Sequence, residues 1–213
     1  MDIFILIFEI IGTVSFAVSG AMTGLRKNMD IFGVCILGLT TAVGGGIVRD
    51  LILGITPPAT FLDPMYAAIA IGSSVIIFIP AIRHLFMANH RLYDIVMLVT
   101  DAAGLGIFTV YGAGAAIDAG FLENRFLVVF VAVVTGVGGG VMRDIFAGDR
   151  PYIFIKHVYA CAAIAGAILC TLLWNIAGRN ISMIAGFALI TVLRLCAAYF
   201  HWSLPKAREF NIE

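Results

Sequence analysis

The chain has 213 residues, of which 62% are hydrophobic and only 12% are charged, and its mean hydropathy is +1.06. Soluble domains average about 25% charged residues, so this composition excludes a water-exposed globular domain. Lysine plus arginine (13) balance aspartate plus glutamate (13). Because no excess of basic residues is available to neutralise phosphates, we expect no nucleic-acid partner.

Apolar segments of about twenty residues recur along the whole chain, and each is long enough to cross a bilayer core of about 30 Å. Charged residues, prolines or glycine clusters separate these segments. The pattern predicts an all-α integral membrane protein with seven transmembrane helices. Their expected ranges are 3–24, 30–50, 59–80, 92–112, 122–144, 155–176 and 180–202.

The basic residues of the predicted loops are distributed unequally between the two faces of the membrane. One face carries only Arg125 and Arg179. The other face carries eight basic residues, namely Arg26, Lys27, Arg83, Arg91, Arg150, Lys156, Lys206 and Arg208. Since cytoplasmic loops are enriched in lysine and arginine, we expect the N-terminus outside and the C-terminus in the cytoplasm.

The sequence contains an internal repeat. Residues 43–54 (VGGGIVRDLILG) align with residues 137–148 (VGGGVMRDIFAG) at an offset of 94, with seven identical positions. Tyr66 aligns with Tyr159 at an offset of 93. Each copy contains three spans, and because three is odd, the second copy enters the membrane from the opposite side, which gives inverted repeats.

This repeat sets the expected domain organisation. The first three-helix repeat covers 1–88, the second, inverted repeat covers 92–176, the seventh transmembrane helix covers 180–202, and a cytoplasmic tail covers 203–213. In proteins built from inverted repeats, the transport or permeation site lies near the bilayer midplane between the repeats. We therefore expect functional residues where the two copies meet.

Two glycine triplets occupy equivalent places in the second and fifth spans. Glycine is unfavourable inside a helix by about 1 kcal/mol relative to alanine, so three in succession favour a kink or local unwinding. Irregular backbone at membrane depth is tolerated against protein or a water-filled cavity. We expect kinks that line a polar pathway, and the alternative is that the glycines only permit close helix packing. The triplets are Gly44, Gly45 and Gly46, and Gly138, Gly139 and Gly140.

An arginine and an aspartate follow each triplet: Arg49 with Asp50, and Arg143 with Asp144. Charges inside a membrane are energetically costly and usually functional. Because neighbouring helix residues point in different directions, we expect pairing between the repeats, Arg49 with Asp144 and Arg143 with Asp50. These residues then either gate a pathway or only clamp the repeats together.

The first spans of the two repeats carry carboxylates at equivalent positions, Glu9 and Asp101, at an offset of 92. Ser15 and Ser19 add hydroxyl groups along the first span. Carboxylates attract cations to a pore, and hydroxyl oxygens replace part of a hydration shell. Either carboxylate is alternatively a simple interfacial residue. We expect Arg194, in the seventh span, to extend toward the cytoplasmic surface.

The sequence contains no phosphate-binding loop, no Gly-x-Ser-x-Gly motif and no His-Glu-x-x-His motif. We therefore expect neither an enzyme nor a metal site nor a cofactor. Any transport is then passive or ion-coupled.

Seven spans in two inverted repeats, with Gly-Gly-Gly-x-x-Arg-Asp in the second and fifth spans, resemble the prokaryotic members of the trimeric intracellular cation (TRIC) channel family. These bacterial inner-membrane proteins are also described as carrying a glycine-transporter-type domain. The resemblance implies a homotrimer surrounded by membrane lipids, with one K⁺- and Na⁺-conducting pore per protomer. It places each pore between spans 1, 2, 4 and 5, kinked at the glycines.

The alternative function is ion-coupled or passive transport of a small amino acid such as glycine. A transporter of this kind needs an occluded midplane site in which helix N-termini face a carboxylate. A channel instead needs one continuous polar path with several weak sites.

Overall fold

The computed structural model describes residues 3–155 and 158–202, so the expected cytoplasmic tail at 203–213 lies outside the described residues. The described part of the chain is almost entirely helical and contains no strand. Its helices are α1 (Ile3–Arg26), α2 (Ile31–Ile52), α3 (Ala59–Leu62), α4 (Met65–Phe78), α5 (Pro80–Ala88), α6 (His90–Ala116), α7 (Arg125–Phe146), α8 (Tyr152–Ile155), α9 (Tyr159–Ala177) and α10 (Arg179–Tyr199).

Six of the described helices, α1, α2, α6, α7, α9 and α10, are each long and apolar enough to cross a membrane. The third predicted span is a broken one, because α4 and α5 meet at an angle of 70°. The break lies at Ile79 and Pro80, since proline has no backbone N–H and disfavours a helical conformation in the residue before it. The 14 residues of α4 extend about 21 Å, less than a bilayer core, so α4 and α5 together form the third of the seven spans.

Helix ends follow local sequence signals. The side chains of Asp30, Asn89 and Asn124 each accept a hydrogen bond from a backbone N–H in the first turn of α2, α6 and α7, as expected of N-cap residues. Gly178, at a φ of 79°, separates α9 from α10. The α6 helix continues past the predicted end at 112 and passes into a π-helical turn, Ile117–Phe121.

The first helices of the two repeats, α1 and α6, run antiparallel. A Cβ added at Gly12 would contact Ile107 and Phe108, and a Cβ added at Gly104 would contact Phe16. Along this contact the residue numbers increase on α1 while they decrease on α6. At one end of the bundle, Lys27 just after α1 pairs with Asp149 just after α7. The predicted fold, two inverted three-helix repeats plus a seventh helix, is confirmed.

The second helices of the repeats, α2 and α7, cross with their backbones in direct contact. A Cβ added at Gly45 would collide with the carbonyl oxygen of Thr135, and one added at Gly139 would collide with that of Thr41. Both helices are α-helical through their glycine triplets. The predicted local unwinding is therefore wrong, whereas a kink within the continuous helix stays a prediction. The missing side chains let the two helices approach closely.

Candidate functional site

Two polar clusters lie toward opposite ends of the bundle and correspond to each other through the repeat. The Arg49 cluster contains Glu9, Arg49, Asp50, Tyr66 and Tyr111. The Arg143 cluster contains Ser19, Asp101, Arg143, Asp144 and Tyr159. Each therefore combines residues of both repeats, because Tyr111 belongs to the second copy and Ser19 to the first.

In the Arg49 cluster, the guanidinium binds the neighbouring carboxylate. Arg49 Nε donates to Asp50 Oδ1 over 2.8 Å, and Arg49 Nη2 lies 2.7 Å from the same oxygen. The other oxygen, Asp50 Oδ2, accepts from the backbone N–H of Ala59 over 2.9 Å. Arg49 also lies over the Tyr111 ring, 5.0 Å from its centroid. Asp50 is thus shared between Arg49 and the start of α3.

Glu9 is the carboxylate of the same cluster that pairs with no arginine of the described residues. Tyr66 donates its hydroxyl proton to Glu9 Oε2 over 2.6 Å, and among the described residues no ion pair joins Glu9 to Arg49. Both side chains line a cavity of about 240 Å³, together with Thr13, Ala42, Val43, Gly46, Ala59, Thr60, Asp63, Tyr66, Phe108 and Tyr111. A cavity of this size and polarity has room for several water molecules.

A second, more open cavity of about 630 Å³ shares Arg49, Ala59 and Tyr111 with the first. It extends along Ala115 and Asp118 to Arg179, which lies 2.9 Å from Asp118 Oδ2. The Arg49 end of the bundle therefore has a wide entrance with charged side chains, Arg49, Asp50, Asp118 and Arg179, in a largely apolar lining.

The Arg143 cluster has the same chemistry but is sealed. Arg143 is fully buried, with 0% exposure. Its Nη1 donates to Ser19 Oγ over 2.5 Å and to Asp101 Oδ1 over 2.7 Å. Its Nε donates to Asp144 Oδ1 over 2.9 Å, and Asp144 Oδ2 accepts from the Tyr152 backbone N–H over 2.7 Å. The contact of Asp144 with Tyr152 is thus the equivalent of that of Asp50 with Ala59. The difference is that the Arg143 guanidinium also binds Asp101 of α6.

Arg194 of α10 reaches into this second cluster. It is 4% exposed, its Nη2 lies 3.6 Å from Asp101 Oδ2, and its guanidinium stacks 4.6 Å from the centroid of the Tyr159 ring. The expectation that Arg194 extends to the membrane surface is therefore wrong, because a carboxylate and an aromatic face lie within reach inside the bundle. Asp101 is consequently approached by two arginines.

Two aromatic rings separate the clusters near the centre of the bundle. Phe16 and Phe108, equivalent through the repeat, lie with ring centroids 5.3 Å apart. Phe108 lines the 240 Å³ cavity, whereas Phe16 is buried with 1% exposure. A Cβ added at Gly139 would lie 3.3 Å from the Phe16 ring, so this pair and the glycine crossing together fill the middle of the bundle.

The predicted pairing of Arg49 with Asp144 and of Arg143 with Asp50 is wrong. Each arginine instead binds the aspartate that follows it. The helices α2 and α7 are antiparallel and cross at their glycine triplets. Arg49 and Arg143 each lie four residues after the crossing, but in opposite directions, so they are roughly 12 Å apart along the bundle. A long, flexible arginine side chain can fold back to its neighbour but cannot reach the other end.

The sequence matches the profile of a family described as "Glycine transporter" over residues 6–81 and 98–175. It is 34% identical to the UPF0126 membrane protein YvgT of Bacillus subtilis, over 97% of this chain and 98% of that protein. It is also 34% identical to the UPF0126 inner membrane protein YadS of Escherichia coli K12, over 92% of this chain and 93% of that protein.

Solved structures of TRIC channels superpose on nearly the whole chain. One, from a study of conductance through TRIC cation channels, has a TM-score of 0.83 at 34% identity and covers 99% of both chains. A TRIC orthologue from Rhodobacter sphaeroides has a TM-score of 0.81 at 32% identity and covers 93% of this chain and 98% of its own. This chain belongs to the prokaryotic TRIC family.

A third TRIC-family structure, of a prokaryotic channel in 0.5 M KCl, has a TM-score of 0.86 at 29% identity and covers 96% of this chain and 100% of its own. The fold described above is therefore that of the TRIC family from end to end. The chain is a multi-pass membrane protein.

Most of the predicted site residues of this TRIC-family chain fall into the two clusters or the crossing between them. Gly46 lines the open cavity, and a Cβ added at its equivalent, Gly140, would lie 3.0 Å from Tyr159 Oη. Ser19 binds Arg143. Ser15, in contrast, is half-buried on α1 and does not line the cavity beside Glu9.

Sequence reasoning missed the aromatic residues of the site. Tyr66 and Tyr159 were matched by the repeat alignment, and that match was the available signal, because each hydroxyl points to the carboxylate of its own repeat. Phe16 and Phe108 are likewise equivalent, but inside an apolar span nothing distinguishes a phenylalanine at a barrier from one that faces lipid.

Proposed function

We propose that this protein is a monovalent cation channel that conducts K⁺ and Na⁺, with one pore in each protomer of a homotrimer. The observation that carries the proposal is the line of polar groups along α1, α2, α6 and α7, from the open Arg49 cavity to the Arg143 cluster. Solved structures that match nearly the whole chain are of TRIC channels, which supports the same conclusion.

The charge around the open cavity suits a cation. Glu9 and Asp63 line it with Arg49, and Asp50 already binds that arginine. Three carboxylates thus lie in or beside this cavity, together with the guanidinium of Arg49. A cation in the cavity would also find the hydroxyl oxygens of Thr13 and Thr60, which can replace part of its water shell.

The conformation described here is closed. The buried Arg143 cluster leaves no room beside Asp101, and the Phe16 and Phe108 rings separate it from the cavity. Conduction then requires α2 and α7 to move relative to each other. We place that movement at Gly45 and Gly139, where no side chains interlock.

Transport of a small amino acid such as glycine is the weaker candidate. The cavity does bring a guanidinium and a carboxylate together, which suits a zwitterion. However, the excess of carboxylates favours a ligand with net positive charge, and the structural relatives are cation channels.

Planar-bilayer recording of purified protein in KCl tests the proposal. We expect K⁺ currents, and we expect Glu9→Gln to lower the single-channel K⁺ conductance on the order of two- to fivefold, because one negative charge leaves the cavity that concentrates the cation. Glu123→Gln, an equal charge change at an exposed loop position, should leave the conductance unchanged.

The proposal fails if the protein gives no current while proteoliposomes accumulate labelled glycine, since that result identifies a transporter. Equal effects of Glu9→Gln and Glu123→Gln would instead place the conducting path away from the cavity.

The homotrimer is proposed from the family. Ala70, Ala163 and Ala167, small residues of the third and sixth spans, are buried within the protomer. Larger side chains such as Ile71 and Ile164 are exposed on the same helices. Contacts between protomers, and with membrane lipids, would therefore involve these branched residues.

We propose the bacterial inner membrane as the location, with the N-terminus and the Arg49 end outside and the Arg143 end in the cytoplasm. Single cysteines in a cysteine-free background test this orientation. A membrane-impermeant thiol reagent added to intact cells should label Asn124→Cys, in the loop before α7, but not Asn28→Cys, in the loop before α2. Labelling of both positions from the same side would contradict the inverted arrangement, and exchange of the two results would reverse the orientation.

A further inference from the structure

The two halves of the pathway differ in one respect that the repeat does not explain. Arg194 belongs to α10, the helix that has no counterpart in the repeat, and it contributes a second guanidinium to the Arg143 cluster. In the described part of the chain, Glu9 has no arginine partner, although it is the equivalent of Asp101. One difference between the two halves therefore lies at a pair of equivalent carboxylates, Glu9 and Asp101.

The charges of the two halves follow from this difference. In the Arg49 cluster, the two carboxylates of Glu9 and Asp50 accompany one guanidinium, that of Arg49. In the Arg143 cluster, Asp101 and Asp144 face two guanidiniums, those of Arg143 and Arg194. Without Arg194 this half would carry a net negative charge, as the open half does.

The geometry also separates the roles of the two arginines. Arg143 Nη1 binds Asp101 Oδ1 over 2.7 Å, whereas Arg194 Nη2 lies 3.6 Å from Asp101 Oδ2. Asp101 Oδ2 is buried and has no hydrogen-bond donor among the described residues. Arg194 therefore covers the one carboxylate oxygen that a cation would use, and does so through a long contact that is easier to release than the Arg143 bonds.

We propose that Arg194 is the residue that keeps the Arg143 half of the pathway closed to cations, by neutralising Asp101 and covering its second oxygen from outside the repeat. Stacking on Tyr159, 4.6 Å from the ring centroid, holds the guanidinium in this position. Movement of α10 away from α6 and α9 exposes Asp101 Oδ2 and makes this half resemble the open one. The inference rests on the proposed channel function only for its effect on current.

The first test measures access to the cluster and needs no current. Met97, whose sulfur lies 3.5 Å from Ser19 Oγ, is replaced by cysteine in a background without Cys35, Cys161, Cys170 and Cys196. Adding Arg194→Gln should raise the rate at which a cationic thiol reagent modifies this cysteine in proteoliposomes on the order of tenfold, because the closed population decreases. Arg125→Gln, an equal charge change at an exposed position, should leave the rate unchanged.

Arg194→Lys is the second variant, and it decides the outcome if Arg194→Gln does not fold. An ammonium group keeps the charge but cannot stack flat on Tyr159 and reach Asp101 Oδ2 at the same time. We expect a rate at least twofold above the parent, but below that of Arg194→Gln. A parental rate in each Arg194 variant that folds would overturn the inference.

The second test records current. Arg194→Gln should raise the open probability in KCl severalfold, whereas Glu9→Gln lowers conductance and leaves open probability unchanged. Faster labelling without current in any variant would remove the proposed channel function and leave the closing role of Arg194 intact. If the parent conducts but Arg194→Gln shows neither faster labelling nor a higher open probability, the inference is wrong and the proposed channel function stands.

Discussion

Asp101→Asn should destabilise the protein far more than Glu9→Gln, although the two carboxylates are equivalent through the repeat. Asp101 is the buried counterion of Arg143 and Arg194, and removal of one partner from a buried ion pair costs about 3 to 5 kcal/mol, because a charge is left uncompensated. Glu9 binds Tyr66 and borders a cavity with room for water. The loss at Glu9 should be about 1 kcal/mol, because the Gln amide oxygen still accepts from Tyr66 and only the charge assistance of that hydrogen bond is lost.

Thermal unfolding of the purified variants in the same detergent measures the difference. The midpoint of Asp101→Asn should fall well below that of Glu9→Gln, or the variant should fail to accumulate as folded protein. Similar midpoints for both variants would mean that the Arg143 cluster is not the buried, self-neutralising group described here.

Gly139→Ala should be strongly destabilising, whereas Gly72→Ala should be neutral or stabilising. A Cβ at Gly139 would collide with the backbone carbonyl of Thr41, and a rigid backbone cannot move aside as a flexible side chain can. Overpacking of this kind costs about 1 to 3 kcal/mol. Gly72 is also helical but has nothing within 4 Å of the Cβ position, so alanine there brings only its helix propensity, about 1 kcal/mol.

The comparison uses the same substitution on two helices, with unfolding midpoints and the oligomeric state as readouts. If Gly139→Ala unfolds at the parental temperature, α2 and α7 do not cross in backbone contact. If it is stable but conducts poorly, the crossing matters for movement and not for packing.

The repeat made much of the fold predictable from sequence. Six of the seven expected spans correspond to single long helices, because lengths of apolar sequence and positions of charges are fixed by the bilayer. The inversion followed from the odd number of spans per copy. The break in the third span at Pro80 was less predictable, since proline within an apolar segment is compatible with either a kinked or a divided helix.

The site was predictable in composition but not in connectivity. The sequence identified Glu9, Asp101, Arg49 and Arg143 from their cost in a membrane, and the structure brings them into two clusters. The sequence did not show which carboxylate each arginine reaches, because that depends on where α2 and α7 cross. Arg194 was misjudged for a similar reason: near the end of a span, extension to the surface and burial against a distant helix leave the same sequence pattern.

The seventh helix has a consequence for the direction of ion flow. Two inverted copies alone would present the same entrance to both sides of the membrane, and current would be independent of the sign of the voltage. Here the open cavity at one end has an excess of carboxylates, whereas Arg194 leaves the buried cluster at the other end without one. Cations would accumulate at one mouth only, so a channel of this construction would rectify, passing K⁺ more readily from the carboxylate-rich side than from the neutral one.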